Sequence, residues 1–254
     1  MYLLSNREVI EISGNDSISF LQNIVTNDVT EINQKKIIHS FLLTNKGKIL
    51  FDFYLHKFEE KIVIDIDSNS SEELIKYLSF YKLRSDVKIK KLNSLFVYWT
   101  NQNIKHPKDP RNPDNGTRLV NYESLDEDIN KIDDDYDDNR IFNSIAELGK
   151  DYNSDTIFPH ELPNYINSIS FKKGCFIGQE VISRVYHQKA LSKKTFIRLP
   201  FTGKPQQPGK TILDSNKQVG FYGSHSSAYC LVYIDRGLSD PNISISDGKL
   251  KTKL

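Results

Sequence analysis

The residue best placed for chemistry in this sequence is Cys175, which stands between two glycines in the run KGCFIGQEV at 173–181. The apolar pattern that follows predicts an amphipathic helix opening at Gln179. Free N–H groups and the dipole at a helix start favour an anion, including a thiolate, and Lys172 and Lys173 add positive charge. Cys175 is therefore a candidate reactive thiol. The alternative is a small buried apolar side chain, the common role of a single cysteine.

The other residue types that bind metals are scattered along the chain. Cys230 is the second of two cysteines, and neither has a CxxC partner, so a zinc site or a disulfide framework is not expected. The six histidines show no HxxxH spacing. We therefore expect no metal site, and we expect Cys230 to be buried in an apolar strand, YCLVY at 229–233.

The elements that must position these residues alternate strands with helices. A short helix is predicted after Asp16, and a second one opens at the capping-box pattern SSEE at 70–73. Alternating or apolar runs predict strands at 8–13, 37–43, 48–57, 61–67, 87–92 and 95–100. This order is typical of an α+β fold with a largely antiparallel sheet.

The second half of the chain begins with loops and changes texture near residue 190. A proline-containing loop is predicted at 101–116, and an acidic stretch at 123–140 is either a solvated connector or a partner-binding patch that leads into a helix. That helix is predicted to run through Ile141, Ile145 and Leu148. Short strands predicted beyond it, typical of a small β-barrel, lie at 194–200, 211–213, 218–224, 229–234 and 249–253. The predicted domains are 1–190 and 191–254.

Composition excludes several classes of protein. The chain has 254 residues, of which 38% are hydrophobic and 26% charged, which is a globular composition rather than a disordered one. A net charge of +1 gives no overall basic field, so direct nucleic-acid binding is not expected. Apolar runs are too short for a membrane span, and the N-terminus has no secretory pattern. We expect a cytoplasmic monomer without membrane contact.

Motif order adds a resemblance to a known family. KGCFIGQE at 173–180 resembles KGCYxGQE, the signature of the YgfZ family, folate-binding relatives of the glycine-cleavage T-protein that include mitochondrial iron–sulfur assembly factors. Phe176 replaces the usual tyrosine. Further segments that resemble the family occur in its order: SGND at 13–16, FLQNIVTNDV at 20–29, TNKGKILFDF at 44–53, YKLRS at 81–85, DPR at 109–111, FPHE at 158–161 and ISF at 169–171.

The resemblance implies a T-protein-like α+β fold, with antiparallel sheets and helices around a central cavity that holds tetrahydrofolate or a derivative, and a small C-terminal β-barrel. Glu161 matches the T-protein glutamate that binds the pterin. A carboxylate can accept two parallel N–H bonds from one edge of the pterin ring. Its alternative is a carboxylate of a first helical turn beside Pro159. Asn27, Asp28 and Gln179 are further candidates for folate binding.

Asp52 bears on the choice between functions. The resemblance places it where the T-protein has an Asp-Asp pair that supports one-carbon transfer, and here the pair reads Phe51-Asp52. Asp52 is therefore a catalytic candidate together with Cys175, with a solvent-facing position as its alternative. The relatives' Gly-Arg-Glu is also replaced, by Gly-Gln-Glu at 178–180.

Three functions follow from these observations. The first is a folate-binding accessory protein, with Cys175 as its key residue, that supports assembly or repair of iron–sulfur enzymes, including tRNA-modifying ones. Its partners would be those enzymes or their assembly factors. The second is a folate-dependent enzyme, either an aminomethyltransferase of glycine cleavage or a methylglycine demethylase. The third keeps the fold and the pocket as relics without a ligand. The cysteine block favours the first.

Overall fold

A five-stranded antiparallel sheet forms the frame of the N-terminal half. The computed structural model describes residues 1–122, 134–189, 192–202, 204–214, 217–238, 243–246 and 249–252. The sheet has the order β3-β4-β5-β2-β6. Its strands are β2 (Arg7–Ser13), β3 (Ile37–Leu43), β4 (Ile49–Phe58), β5 (Lys61–Asp67) and β6 (Lys88–Leu92). Every residue of β3 is buried, so this sheet is covered on both faces.

Helices cover one face of this sheet. α1 (Ser17–Ile24) and α3 (Ser68–Tyr81) pack apolar side chains against β2, β4 and β5, and α2 (Ile32–Lys35) precedes β3. α3 begins two residues before the predicted capping box, because the Asp67 carboxylate accepts a hydrogen bond from the Asn69 N–H at 2.9 Å. Ser71, the second residue of the predicted capping box, donates to the Glu8 carboxylate.

A second, three-stranded sheet pairs β1 (Tyr2–Leu3), β7 (Phe96–Thr100) and β8 (Thr117–Asn121) in the order β1-β7-β8. Its side chains surround Trp99, which is 1% exposed and packs edge-on to Tyr136. The Trp99 indole N–H donates to the Asn115 carbonyl at 2.5 Å. The sheet therefore forms a separate apolar cluster beside the larger one.

Buried ion pairs join the two sheets to the segment that follows them. Arg118 on β8 binds the Asp65 carboxylate of β5 at 2.5 Å, and both side chains are fully buried. Three more arginines with buried side chains complete the group that we call the arginine network: Arg7 with Asp65, Arg111 with Asp109 and Glu147, and Arg140 with Asp151. The charges are paired, which is what makes burial tolerable.

α4 (Asp134–Phe142) is shorter than the sequence predicts. The chain turns at Ser144, which has φ +57°, and the Ile145 N–H bonds back to the Arg140 carbonyl. Ile145 and Leu148 therefore lie beyond the helix in irregular chain; both are buried, and Leu148 belongs to the core cluster that contains Ile141. Most of the predicted acidic stretch, residues 123–133, lies outside the described residues.

The C-terminal strands form a third sheet, in the order β10-β11-β12-β9-β13-β14, whose last strand pairs in parallel with its first at Leu213 and Lys249. The core cluster that contains Phe41 and Ile49 of the N-terminal sheet also contains Phe196 and Leu231 of this one. The strands are β9 (Lys194–Thr202), β10 (Thr211–Asp214), β11 (Lys217–His225), β12 (Tyr229–Asp235), β13 (Ile243–Ser246) and β14 (Lys249–Thr252). The sequence pattern does not predict β13. The domain boundary near residue 190 stays a prediction.

Candidate functional site

Asp52 lies buried in the middle of β4 and faces β3 and a later loop. Its carboxylate binds the His39 imidazole through Nε2 at 2.7 Å and accepts the Tyr152 hydroxyl at 2.7 Å. Burial by itself would raise the pKa of Asp52, but the His39 charge and hydrogen bond, with Arg111 and Tyr152, bring it below its ordinary value. The solvent-facing alternative for Asp52 is therefore wrong.

The same histidine continues the hydrogen-bond chain. His39 Nδ1 lies 2.7 Å from the Ser168 hydroxyl oxygen, so Ser168, His39, Asp52 and Tyr152 form one row. The sequence pattern does not identify His39, Ser168 or Tyr152 as site residues. The sequence offers one signal for this row: His39 lies within an apolar strand, next to the strand that carries Asp52. Ser168 has no such signal, because it lies in a turn that is distant in sequence.

A small cavity lies beside this row. It has a volume of about 20 Å³ and is lined by His39, Asp52, Arg111, Tyr165 and Ser168, among others. A volume of this size holds little more than one water molecule. Arg111 uses its Nε and Nη2 atoms on carboxylates and a hydroxyl, while its buried Nη1 has no acceptor among the residues that the structure describes. A bound oxygen acceptor in the cavity could satisfy that donor.

Glu161 is buried at the end of the short 3-10 turn Pro159–Glu161, and both of its oxygens have partners. Oε2 accepts the Phe158 N–H at 2.8 Å, and Oε1 accepts the Tyr233 hydroxyl at 2.7 Å. Burial and this contact together raise the pKa of Tyr233. The arrangement matches the helical-turn alternative for Glu161, and both of its oxygens already accept hydrogen bonds from within the protein.

Asn27 and Asp28 shape the loop after α1 through their side chains. The Asn27 amide donates to the carbonyls of His39 at 2.8 Å and Asn167 at 3.1 Å. Asp28 accepts from the Thr30 N–H and hydroxyl, and although burial opposes ionisation, these bonds lower its pKa. Asn27 lines an open groove beyond the 3-10 turn Tyr165–Ser168, and neither Asn27 nor Asp28 is among the residues that line the cavity with Asp52.

Cys175 is exposed, in the loop that precedes α5 (Gln179–His187). It lies before the first helical turn rather than in it. The neighbouring Lys173 Nζ donates to the carbonyls of Val25 at 2.6 Å and Asn27 at 3.0 Å, and burial lowers the pKa of Lys173 to about 8. The lysine therefore anchors the cysteine loop to the loop after α1. Cys230 is buried, and burial raises its pKa to about 12.

The second anchor of the cysteine loop is a close approach of two glycines. Gly178 caps α5 with φ +78°, and a Cβ there would fall 2.6 Å from the Thr44 carbonyl oxygen. The facing Gly47 belongs to the turn that leads into β4, the strand of Asp52. Gln179 is half-buried at the helix start, where its N–H bonds to the Phe176 carbonyl. The turn and the cysteine loop are thus held together.

Among the described residues, no group of three or more His, Cys, Asp or Glu side chains could hold a metal ion. In the same ranges, no helix combines the length and the apolar character that crossing a membrane requires.

Three curated proteins similar to this chain carry the same description. No protein-family model matches the chain. It is 28% identical over 218 residues, 74% of its length, to an "iron-sulfur cluster assembly factor IBA57 homolog, mitochondrial" of Mycosarcoma maydis. Proteins of the same name from Neurospora crassa and Dictyostelium discoideum are 26% and 25% identical over 75% and 76% of the chain. The chain spans about half the length of the curated relatives it matches, with 54% and 51% of the first two covered.

These names correct one expectation. The predicted cytoplasmic location is wrong, because the relatives are named as mitochondrial proteins. The absence of a secretory pattern does not identify a compartment.

Similarity to a solved structure establishes the fold. The crystal structure of glycine cleavage system aminomethyltransferase T from Bartonella henselae superimposes with a TM-score of 0.73, covering 98% of this chain and 82% of that one. Sequence identity is 12%, so this likeness concerns architecture alone. The chain therefore has the T-protein fold, as the motif order predicts, and its sequence is similar to that of iron–sulfur cluster assembly factors.

Proposed function

We propose that this chain is an accessory protein, of the YgfZ type, for the assembly or repair of iron–sulfur clusters, with Cys175 as its working thiol. The observation that carries the proposal is the exposed Cys175, fixed by the Lys173 and Gly178 anchors in a chain similar to cluster assembly factors. Its partners would be iron–sulfur enzymes or other assembly factors, and tRNA-modifying enzymes would be among the clients.

The test compares two cysteine variants in cells that lack the native protein. Cys175→Ser should abolish the support of a [4Fe–4S] enzyme under oxidative stress, because it removes the exposed thiol and changes little else. Cys230→Ala is the matched control and should retain support at equal protein level. The level of thiolated tRNA gives a second readout for the proposed client class. Full activity of Cys175→Ser would exclude the thiol from the function.

Binding of tetrahydrofolate or a derivative is the second part of the proposal, supported by the T-protein fold. In the conformation described, the residues do not fit a pterin: the cavity beside Asp52 holds about one water molecule, and Glu161 already uses both oxygens. Binding beside Asp52 therefore requires the 3-10 turn Tyr165–Ser168 to move and Glu161 to exchange partners.

Thermal denaturation with excess tetrahydrofolate tests this part. A ligand at about 100 times its dissociation constant stabilises a fold by about 2.7 kcal/mol, which gives a clear rise in Tm. Glu161→Gln should weaken the response, since one acceptor becomes a donor. An unchanged Tm in a sample freed of folate would support the relic interpretation of the pocket instead.

Aminomethyl transfer is the competing function, because the chain shares the T-protein fold and retains Asp52. Phe51 replaces the first carboxylate of the T-protein pair, and Gln179 replaces the arginine. Asp52 itself is occupied by His39 and Tyr152. We therefore expect no methylene-tetrahydrofolate from an aminomethylated lipoyl carrier, measured by absorbance and mass spectrometry. Sustained production would overturn the accessory role.

A further inference from the structure

An open groove runs along the surface next to the cysteine loop. Its volume is about 680 Å³, far larger than the cavity beside Asp52, and the two are separated by the 3-10 turn Tyr165–Ser168. Tyr165 and Ser168 face the cavity, whereas Ile166 and Asn167 face the groove. We call this surface the lysine groove; its lining includes Asn27, Lys35, Lys108, Ile166, Lys172 and Tyr186.

Two large apolar side chains are exposed in the lysine groove. Ile166 is 44% exposed and Tyr186 41% exposed. Tyr186 stacks on Phe171 with ring centres 3.8 Å apart and planes within 10°, so its ring is held in place before any partner arrives. An ordered, exposed aromatic side chain is what protein interfaces use as an anchor, because little side-chain entropy is lost on binding.

The charge of the groove is predominantly positive. Lys35 is paired with Glu31 at 2.5 Å, which neutralises that end. Within the described ranges, Lys108 and Lys172 have no carboxylate within salt-bridge distance, so two positive charges flank the apolar floor. Such a surface attracts a negatively charged segment and repels a basic one.

The groove is also close to Cys175. Lys172 lines the groove and precedes Cys175 by three residues, so their Cα atoms lie within about 11 Å of each other. Lys173 binds the Asn27 carbonyl, and Asn27 lines the groove as well. A chain segment seated in the groove would therefore place its own protein against the exposed thiol.

We propose that the lysine groove docks an acidic protein segment with an aromatic or aliphatic anchor, contributed by the iron–sulfur protein that Cys175 serves. This inference rests on the proposed function and deepens it by stating the chemistry of the partner. The acidic side chains would face Lys108 and Lys172, and the anchor would lie on Ile166 and the Tyr186 ring.

Direct binding tests the surface with defined probes. One fluorescent 12-residue peptide carries Asp and Glu around a single Phe, and a second carries Lys at the acidic positions. We expect the acidic peptide to bind about tenfold more tightly by fluorescence anisotropy at low salt, with affinity falling as salt rises. Lys108→Glu with Lys172→Glu should remove the preference, and Tyr186→Ser should weaken the acidic peptide. Lys76→Glu, an exposed α3 lysine outside the lining, is the control and should bind as wild type.

Equal binding of the two peptides, or an acidic preference that survives the double reversal, would overturn the inference. Competition of tetrahydrofolate with the acidic peptide would assign the groove to a small ligand and overturn it as well.

The cellular assay separates the two proposals. We expect the double reversal to lower [4Fe–4S] enzyme activity at least about fivefold, as Cys175→Ser does, while Lys76→Glu retains it. Wild-type activity of the double reversal beside an inactive Cys175→Ser would refute the docking surface and leave the proposed function standing. Activity of Cys175→Ser would refute the proposed function, and the docking inference with it.

Discussion

At the scale of single residues, the two cysteines differ in their exposure to solvent, which controls access to the thiol. Cys175 is exposed, whereas Cys230 is buried in β12 with its pKa raised to about 12. We expect iodoacetamide at neutral pH to label Cys175 at least about tenfold faster, since only an accessible thiolate reacts. Peptide mass spectrometry over a time course measures both rates in one sample. Equal labelling of Cys230 would contradict the expectation.

A second prediction at this scale concerns the contribution of the Asp52 carboxylate to stability. Asp52→Asn removes the charge that pairs with His39 and should lower the free energy of unfolding at pH 7 by about 3 kcal/mol. Tyr152→Phe removes one neutral donor and should cost about 1 kcal/mol. Because the folded pKa of Asp52 is lowered, its contribution is present above the unfolded pKa and is lost as pH falls through the folded one.

Urea denaturation at pH 7 and at pH 3 checks this, with the wild-type chain as reference. The difference between Asp52→Asn and wild type should shrink at the lower pH. A difference that is the same at both values would mean that the carboxylate charge is not what stabilises the row.

Part of the candidate site can be predicted from the sequence. Cys175 was predicted because its glycines, lysines and helix start are contiguous, and the structure leaves it exposed. The roles of His39 and Ser168 could not be predicted, since they depend on strand pairing and on a loop more than a hundred residues away. The predicted folate contacts of Glu161, Asn27, Asp28 and Gln179 stay predictions.

At the scale of elements, the contact between the cysteine loop and the β3–β4 turn depends on one glycine. Gly178→Ala would place a Cβ 2.6 Å from the Thr44 oxygen at a φ of +78°, so we expect a loss of about 2 kcal/mol or more in the free energy of unfolding. Gly174→Ala is a close control, because no atom of the described residues lies within 4 Å of its Cβ position. It should change stability by no more than about 0.5 kcal/mol.

Chemical denaturation of both variants measures the two losses side by side. Equal stability of the two would show that the close approach of Gly178 to Gly47 is not maintained in solution.

Element boundaries show where local signals suffice. β3 and β5 begin and end where their hydrophobic patterns predict. α3 begins earlier than predicted because Asp67, the last residue of β5, is also the N-cap of the helix. Local sequence patterns assign a residue to the strand or to the helix cap, but not to both. α4 ends early because the buried Arg140 and Asp151 hold the following chain in an irregular path. That contact is tertiary and has no sequence period.

At the scale of the whole molecule, the arginine network should control acid stability. Burial opposes ionisation of Asp65 and Glu147, but Arg118 acting on Asp65 and Arg111 acting on Glu147 outweigh it, so both pKa values lie well below the ordinary range. As pH falls below about 4.5, these carboxylates therefore bind protons in the unfolded chain before they do so in the folded one. The free energy of unfolding should fall steeply from that pH downward.

His56 adds an earlier and shallower loss. Burial lowers its pKa, so the unfolded chain takes up a proton first as pH falls below about 6.5. Denaturant titrations at half-unit steps from pH 7.5 to 3 would resolve the two phases. Constant stability between pH 5 and 3 would contradict the role given to the network.

The overall architecture was predictable from motif order, since the T-protein fold was expected and is found. The arginine network was not, because its members are spread from Arg7 to Asp151 and only the folded chain brings them together. The parallel pairing of the last and first strands of the third sheet likewise depends on contacts far apart in sequence.

Trp99 gives the molecule a built-in optical reporter. It is the only tryptophan in the chain, shielded from water, and it lies against Tyr136, whose hydroxyl accepts from Arg118 in the arginine network. Emission excited at the red edge of the absorption band comes from this one indole. During unfolding, a red shift of that emission therefore reports when water enters the region of the arginine network. The reaction of the Cys230 thiol independently reports when the C-terminal strands open.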